Sequence, residues 1–220
     1  MSLRLAIFDC DGTLVDSQAD ICASMDEAFA LAGLTPPDRT ATRRVVGLSL
    51  TEAMRRLHPG GEDEAHARLA SHYRDAFRAR REAGALAEPL YEGIAALVED
   101  LVARGWLLGV ATGKSDRGLA HVLANHGLTG HFVTLQTADR HPSKPHPSMI
   151  EAALDATGAD RAATAMIGDT VYDMEMARNA AVRAIGVSWG YHETHELEDA
   201  GADAVAHSVP ELRKLLEAME

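Results

Sequence analysis

The second half of this 220-residue chain alternates short apolar runs with longer segments of helical character. The apolar runs occupy residues 106–111, 132–135, 163–167, 184–187 and 202–206. The segment before the first run has one apolar helical face, formed by Ile94, Leu97, Val98 and Leu101. Strands that alternate with helices form parallel sheets covered on both faces. We therefore predict an α/β fold with a doubly wound, Rossmann-like parallel sheet.

One further strand is predicted far from the others in the sequence. The apolar run at residues 3–8 leads into the turn Asp9-Cys10-Asp11-Gly12, and about 70 residues of helical character follow it. Pro36-Pro37 and Pro59-Gly60-Gly61 divide that stretch into several helices. We predict a core domain of residues 1–15 and 87–220, into which residues 16–86 are inserted as an all-helical cap.

Composition excludes several classes of partner. The formal net charge is −12, which argues against binding to a nucleic-acid backbone or to an anionic membrane surface. No apolar run approaches the roughly 18 residues of a membrane-spanning helix, and the run at 3–8 is too short for a signal peptide. Cys10 and Cys22 fit neither a disulfide framework nor a zinc site. We expect a cytoplasmic protein that acts on a small molecule, and no sequence feature specifies its oligomeric state.

Polar residues follow several predicted strands at the point where each strand ends. They are Asp9 and Asp11 after the run at 3–8, Thr112, Gly113 and Lys114 after the run at 106–111, and Asp169 and Asp173 after the run at 163–167. Lys144 lies in the loop before a helix that begins near Pro147. Ligands of open parallel sheets bind beyond the carboxyl ends of the strands. These residues therefore predict one shared site.

Four of these residues are carboxylates: Asp9, Asp11, Asp169 and Asp173. Carboxylates that lie close together cannot all stay ionised without compensation. Magnesium prefers hard oxygen ligands and leaves room for phosphate oxygens, and Lys144 adds a point charge. Metal and lysine together would neutralise the charge of a phosphoryl group during its transfer. One aspartate can be the nucleophile, and a second, two residues away, can carry a proton.

Four motifs of the chain resemble those of the haloacid dehalogenase superfamily, and they occur in the family's order. They are Asp9-Cys10-Asp11-Gly12-Thr13-Leu14-Val15-Asp16-Ser17, Val110-Ala111-Thr112-Gly113-Lys114, Lys144-Pro145-His146-Pro147 and Gly168-Asp169-Thr170-Val171-Tyr172-Asp173. The helical insert lies where the family has its cap. The segment from Gly168 through Trp189-Gly190-Tyr191 makes the chain similar to the phosphoglycolate phosphatase branch.

The resemblance implies a magnesium-dependent phosphatase that hydrolyses a small, phosphoglycolate-like monoester through an aspartyl-phosphate intermediate. Asp9 would be the nucleophile and a metal ligand. Asp11 would be the general acid and base, with its backbone carbonyl on the metal. Asp169 would bind Mg²⁺, and Asp173 would orient the metal shell. The cap would close over the substrate and exclude bulk water.

The resemblance also implies a phosphate-binding set. Thr112 and the Gly113 amide would hold phosphoryl oxygens, and Lys144 would steady Asp9 and the phosphoryl charge. The branch often has Asn where this chain has Gly113, so a side-chain contact is lost while the backbone amide is kept.

Other functions remain as alternatives on the same residues. A phosphomutase or phosphotransferase would use a sugar in place of water, and a pyrophosphatase would use a different phosphate substrate. Retention of Asp11 argues against a haloacid dehalogenase proper. A catalytically silent binding protein is the non-enzyme alternative, against which the intact Asp9, Asp11, Lys144 and Asp169 argue.

Other charged residues and histidines of the chain have competing interpretations. Arg43, Arg44 and Arg78 of the insert could meet a substrate carboxylate or phosphate, but solvated helix faces explain them better. His192 and His195 have a spacing compatible with a metal, yet a solvated surface pair is the preferred interpretation.

Overall fold

The computed structural model describes residues 3–219, and a six-stranded sheet lies at its centre. The strands are β1 (Leu5–Phe8), β2 (Leu107–Thr112), β3 (Thr134–Thr137), β4 (Thr164–Gly168), β5 (Arg183–Val187) and β6 (Ala204–Ala206). Every neighbouring pair is parallel, and the order is β3-β2-β1-β4-β5-β6. The predicted α/β class with a doubly wound parallel sheet is confirmed.

Helices cover both faces of the sheet. They are α5 (Ile94–Ala103), α6 (Asp116–Asn125), α7 (Ser148–Thr157), α8 (Val171–Asn179), α9 (Thr194–Asp199) and α10 (Val209–Glu217). Ala6 and Phe8 of β1 pack on the face covered by α5, α6 and α10. Leu5 and Ile7 pack on the opposite face, with α7, α8 and α9. Because successive strand residues point to opposite faces and both faces of β1 are buried, the strand is a continuous apolar run.

The third strand lies two residues later than its apolar run indicated. The run at 132–135 predicts the strand there, whereas β3 covers Thr134–Thr137. Phe132 is buried in the core before the strand begins, and Val133 is exposed. The apolar run reflects the burial of Phe132 just before the strand. The strand that pairs with β2 begins and ends at the polar residues Thr134 and Thr137.

Four helices lie between β1 and α5: α1 (Gln18–Leu31), α2 (Arg39–Arg44), α3 (Leu50–Leu57) and α4 (Asp63–Glu82). They bury a small apolar core of their own, formed by Met25, Phe29, Met54, Leu69 and Ala70. The loop between α2 and α3 reaches the carboxyl edge of the sheet, where the Ser49 N–H donates to Ser143 Oγ at 2.8 Å. Within residues 3–219, no helix has the length and apolar character needed to cross a bilayer.

Candidate active site

The strands β1 and β4 are neighbours at the centre of the sheet, and the order of the strands along the chain changes direction between them. The chain leaves β1 towards β2 on one side, while β4 pairs with β1 on the other side. Ligands of doubly wound folds bind in the crevice at such a switch point. Asp9 follows β1 and Asp169 follows β4, and both side chains are fully buried there.

Three of the predicted carboxylates form one cluster around Lys144. Asp9, Asp169 and Asp173 each place a carboxylate oxygen within 4.8 Å of the others. Lys144 Nζ lies 3.0 Å from Asp9 Oδ2 and donates a hydrogen bond of 2.6 Å to Asp173 Oδ1. Residues that are widely separated in the sequence therefore share one buried centre.

The electrostatics of this cluster favour an added cation. Burial is the largest cause that raises the pKa of Asp9, to about 7, and the Lys144 ammonium opposes it only in part. Burial and the charge of Asp9 also raise the pKa of Asp169 well above its usual range. Burial alone would lower the pKa of Lys144, but Asp173 and Asp9 outweigh it and raise that pKa. Asp9 and Asp169 thus carry charge that the protein by itself compensates incompletely.

The residues present fit a magnesium ion. Asp9 Oδ2 is buried, and within residues 3–219 it has no well-aligned hydrogen bond, although Lys144 Nζ lies 3.0 Å away. A buried carboxylate oxygen that is only partly compensated is costly unless a further cation binds it. Together with Asp169 it supplies the hard oxygen ligands that Mg²⁺ prefers.

Two hydrogen bonds hold the Asp169 carboxylate, and the turn after β1 that supplies one of them needs a glycine. Its Oδ1 accepts from Thr13 Oγ1 at 2.7 Å and its Oδ2 accepts from the Tyr191 N–H at 2.9 Å. Gly12 has φ +83°, and a Cβ there would lie 2.2 Å from Asp169 Oδ2. The turn after β1 can therefore approach Asp169 closely only because residue 12 lacks a side chain.

Asp173 differs from the other two carboxylates because protein donors already satisfy both of its oxygens. Oδ1 accepts from Lys144, and Oδ2 accepts from the Thr170 N–H at 3.1 Å and from Thr170 Oγ1 at 2.7 Å. The bond from the Thr170 N–H is one half of a capping box at the start of α8, in which the Asp173 N–H also donates to the Thr170 side chain. The geometry suits Asp173 to orienting Lys144 and the loop after β4.

The side chain of Asp11 belongs to a second charged group beside the cluster. Asp11 Oδ1 accepts from Lys114 Nζ at 2.6 Å and from the Ser17 hydroxyl. Lys114 Nζ also donates to Glu88 Oε1 at 2.9 Å, and Ser17 lies 3.2 Å from the Tyr191 hydroxyl. Asp11 and Lys114 are therefore an ion pair within a shared network.

Sequence reasoning placed Lys114 among the polar residues at the strand ends but assigned it no role, and it missed Glu88 entirely. Nothing in the sequence indicated a role for Glu88, because an isolated acid before a proline is typical of surface turns. Only the fold shows that both side chains are nearly buried, at 9% and 6% exposure.

Thr112 and Gly113 lie at the carboxyl end of β2, next to β1. A Cβ on Gly113 would lie 2.5 Å from the carbonyl oxygen of Leu48 and 2.8 Å from that of Gly47. The loop between α2 and α3 thus occupies the space that an Asn side chain would need. This contact gives the departure from the family pattern a physical reason.

A cavity of about 540 Å³ lies between the inserted helices and this edge of the sheet. Asp11, Gly113 and Lys114 line it from the sheet, and residues of α1, α4 and the loop after α2 line it from the insert. A substrate can therefore lie between the insert and the carboxyl ends of the strands.

The arginines and histidines considered from the sequence have different environments. Arg44 pairs with Glu196, so it links the insert to the rest of the chain. Arg78 pairs with Asp75 and lines the cavity. The interpretation of His192 as a solvated surface residue is wrong: its side chain is buried and Nδ1 accepts from the Val171 N–H at 3.3 Å.

Comparison with known proteins agrees with the site. The family model for haloacid dehalogenase-like hydrolases matches residues 6–187. "Probable phosphatase IndB" of Dickeya dadantii is 36% identical over 94% of this chain and 91% of that protein. Phosphoglycolate phosphatase of Agrobacterium fabrum is 32% identical over 88% of this chain and 84% of that protein. A hydrolase from Pseudomonas syringae has a solved structure with a TM-score of 0.86 and 26% identity, and 98% of each chain is covered.

The chain therefore belongs to the haloacid dehalogenase-like hydrolases, as its motifs indicated. Within that family it is similar over most of its length to proteins named as phosphatases, phosphoglycolate phosphatases among them. The prediction of an enzyme of this family is confirmed.

Proposed function

We propose that this protein is a magnesium-dependent phosphatase that hydrolyses a small phosphate monoester through an aspartyl phosphate on Asp9. The observation that carries the proposal is the position of Asp9 at the switch point. Its Oδ2 is buried, lies 3.0 Å from Lys144 Nζ and belongs to one cluster of carboxylates with Asp169. A nucleophile needs a free lone pair and a site that neutralises the group it attacks.

In the first half of the reaction, Asp9 attacks phosphorus and the bond from phosphorus to the leaving oxygen breaks. Asp11 enters this step protonated on Oδ2 and donates that proton to the leaving oxygen, so the alcohol leaves neutral and Asp11 becomes a carboxylate paired with Lys114. Lys114 and Ser17 both bind Asp11 Oδ1, which leaves Oδ2 for the proton. In the second half, a water attacks the same phosphorus and gives a proton to Asp11. The bond from phosphorus to the Asp9 oxygen breaks, which frees the Asp9 carboxylate and inorganic phosphate and leaves Asp11 protonated again.

The remaining residues hold the phosphoryl group and the cofactor. We propose that Asp9, Asp169 and the Asp11 backbone carbonyl bind Mg²⁺, which when bound supplies positive charge next to the phosphoryl oxygens. Thr112 and the Gly113 amide bind phosphoryl oxygens. Lys144 steadies Asp9 and the phosphoryl charge, and Asp173 positions Lys144 through the 2.6 Å hydrogen bond.

The wider organisation of the protein is proposed on the same basis. Residues 16–86 form a cap domain over a core domain of residues 1–15 and 87–220, of which residues 1–2 and 220 lie outside the described chain. The separate apolar core of α1, α3 and α4 supports this division. Cys10 and Cys22 are free and buried, which suits a reducing cytoplasm.

Phosphoglycolate is the first substrate to test, because of the similarity to phosphoglycolate phosphatases. The experiment is a phosphate-release screen with phosphorylated metabolites and p-nitrophenyl phosphate, with Mg²⁺ and with EDTA. Wild type is expected to release phosphate only with Mg²⁺. Asp9→Asn should abolish release, while Asp16→Asn, an exposed acid of the same turn, should not.

The screen also separates the alternatives. Rapid quenching with labelled substrate should trap label on Asp9 in the wild type. Transfer of phosphate to an added sugar in preference to water would indicate a phosphotransferase, and hydrolysis of pyrophosphate alone would indicate a pyrophosphatase. If no phosphate compound is turned over with Mg²⁺, or if Asp9→Asn stays active, the proposal is wrong.

A further inference from the structure

The cavity between the inserted helices and the sheet indicates the size of the group that leaves in the proposed reaction. It has a volume of about 540 Å³, and its lining includes Asp11 but not Asp9. Because Asp11 protonates the leaving oxygen in the proposed reaction, the cavity lies on the leaving-group side of phosphorus. Cavities of roughly 300–1,000 Å³ accommodate ligands of drug size. The glycolate part of phosphoglycolate would fill only a small fraction of it.

The insert gives this cavity an apolar wall. Ile21 and Met25 of α1, Val45 and Val46 of the following loop and Phe77 of α4 all line it. Such a wall binds the carbon body of a ligand, since burial of apolar surface is favourable. A short hydroxy acid has almost no such surface to offer.

The same cavity also has a row of arginines on one helix. Arg74, Arg78 and Arg81 are spaced by four and three residues along α4, so they share one face, and all three line the cavity. Arg74 is exposed and forms no ion pair within the described chain. Arg81 lies over the ring of Phe77, and its buried Nε has no hydrogen-bond partner there. Arg78 pairs with Asp75 at 2.7 Å. The row therefore has donors that the protein leaves unused.

The charge of the cavity is opposite to that of the whole protein. The chain has a net charge of −12, yet five Arg and Lys side chains line the cavity against two carboxylates, Asp11 and Asp139. Lys114 is paired with Asp11 and Glu88, and Arg78 is paired with Asp75. Arg74, Arg81 and Arg117 therefore carry the positive charge that remains against Asp139. A positive region in an acidic protein is suited to an anionic ligand.

We propose that the cavity binds the leaving group of a phosphate monoester larger than phosphoglycolate, and that Arg74, Arg78 and Arg81 bind a second anionic group on it. This inference rests on the proposed phosphatase function and narrows its substrate class. Guanidinium groups bind both carboxylate and phosphate by paired hydrogen bonds, so either can be the second anion.

The experiment compares kcat/KM for four esters with Mg²⁺. Glucose 6-phosphate has the size without the second anion, and phosphoglycolate has the anion without the size. 6-Phosphogluconate has both with a carboxylate, and fructose 1,6-bisphosphate has both with a phosphate. We expect one of the last two to exceed the first two by about tenfold or more, and which one it is identifies the anion.

Variants assign the effect to the arginines. Arg74→Gln, Arg78→Gln and Arg81→Gln, singly and together, should lower kcat/KM for the preferred ester by about tenfold more than for glucose 6-phosphate. Arg68→Gln is the matched control, because Arg68 is on the same helix, is exposed, pairs with Glu64 and does not line the cavity. It should leave every ratio unchanged.

The outcomes distinguish a failure of this inference from a failure of the proposed phosphatase function. If phosphoglycolate or glucose 6-phosphate is hydrolysed as well as the larger anionic esters, or if the arginine variants affect all esters equally, the inference is wrong and the phosphatase function stands. If no ester releases phosphate, including p-nitrophenyl phosphate, the phosphatase function fails and the inference fails with it.

Discussion

Lys114 Nζ donates a hydrogen bond of 2.6 Å to Asp11 Oδ1, and the same ammonium group binds Glu88 Oε1 at 2.9 Å. The ammonium also lies 5.5 Å from the ring centroid of Phe77 in the insert. The proposed acid of the reaction is therefore held by a residue that also touches the insert. Its position depends on the core and the insert together.

Replacing this lysine tests the network. Lys114→Met leaves two nearly buried carboxylates without their counter-charge, so we expect the free energy of unfolding to fall by about 3–5 kcal/mol. Turnover should fall by about tenfold or more, with a smaller change in KM, because Asp11 loses its orientation. Urea unfolding and steady-state kinetics measure the two effects.

A second variant separates stability from catalysis in this network. Adding Glu88→Gln to Lys114→Met should restore part of the stability, since one uncompensated charge is removed, but not turnover. The exposed Lys214 serves as the control lysine through Lys214→Met. Wild-type kcat in Lys114→Met would show that the pair has no part in positioning Asp11.

The raised pKa of Asp9 predicts how stability depends on pH without metal. The pKa moves from 3.8 to about 7 because burial disfavours the carboxylate. Between these values the folded protein holds a proton that the unfolded chain has lost, so stability falls as pH rises through this window. Thermal melts in EDTA should show that fall, by a few kcal/mol at most.

Magnesium should oppose this loss, because a cation favours the ionised carboxylates. We expect the increase in Tm on adding Mg²⁺ to be larger at pH 8 than at pH 5. Asp9→Asn should reduce the pH dependence in EDTA without removing it, because burial also raises the pKa of Asp169. Equal stabilisation by Mg²⁺ at both pH values, or none, would argue against a metal at this cluster.

Asp169→Ala should raise the Mg²⁺ concentration needed for half-maximal activity by about tenfold or more, since it removes one of the hard oxygen ligands. Calorimetric titration with Mg²⁺ measures the same loss without turnover. Asp199→Ala, at an exposed acid in α9, is the control. An unchanged magnesium titration would remove Asp169 from the proposed metal site.

Gly113→Asn should disturb the contact between the insert and β2, because a Cβ there meets the carbonyl oxygens of Leu48 and Gly47. We expect kcat/KM to fall by about tenfold and proteolysis within the insert to become faster. Gly130→Asn is the matched control, since its Cβ position has nothing within 4 Å. If both variants behave like the wild type, the close approach is not needed for function.

Membership of the family and the α/β class of fold could be predicted from the sequence, because both are indicated by local patterns. Apolar runs such as 163–167 mark buried strands wherever both faces of a sheet are covered. Asp9 and Asp169 directly follow apolar runs, and a parallel sheet brings the carboxyl ends of its strands to one edge. Their proximity could therefore be predicted. The displaced β3 shows the limit of this reasoning, since burial of Phe132 and pairing of Thr134 are different properties.

The sequence by itself determined the α/β class and the set of residues at the strand ends, because periodicity and motif spacing act over a few residues at a time. Only the tertiary structure decided that hydrogen bonds from Lys144 and Thr170 occupy both carboxylate oxygens of Asp173. It also decided that Asp11 pairs with Lys114 and that His192 is buried. Those properties arise from side chains that meet across 3 to more than 100 positions of sequence. Which charges are compensated at this site is therefore a result of packing and not of any local pattern.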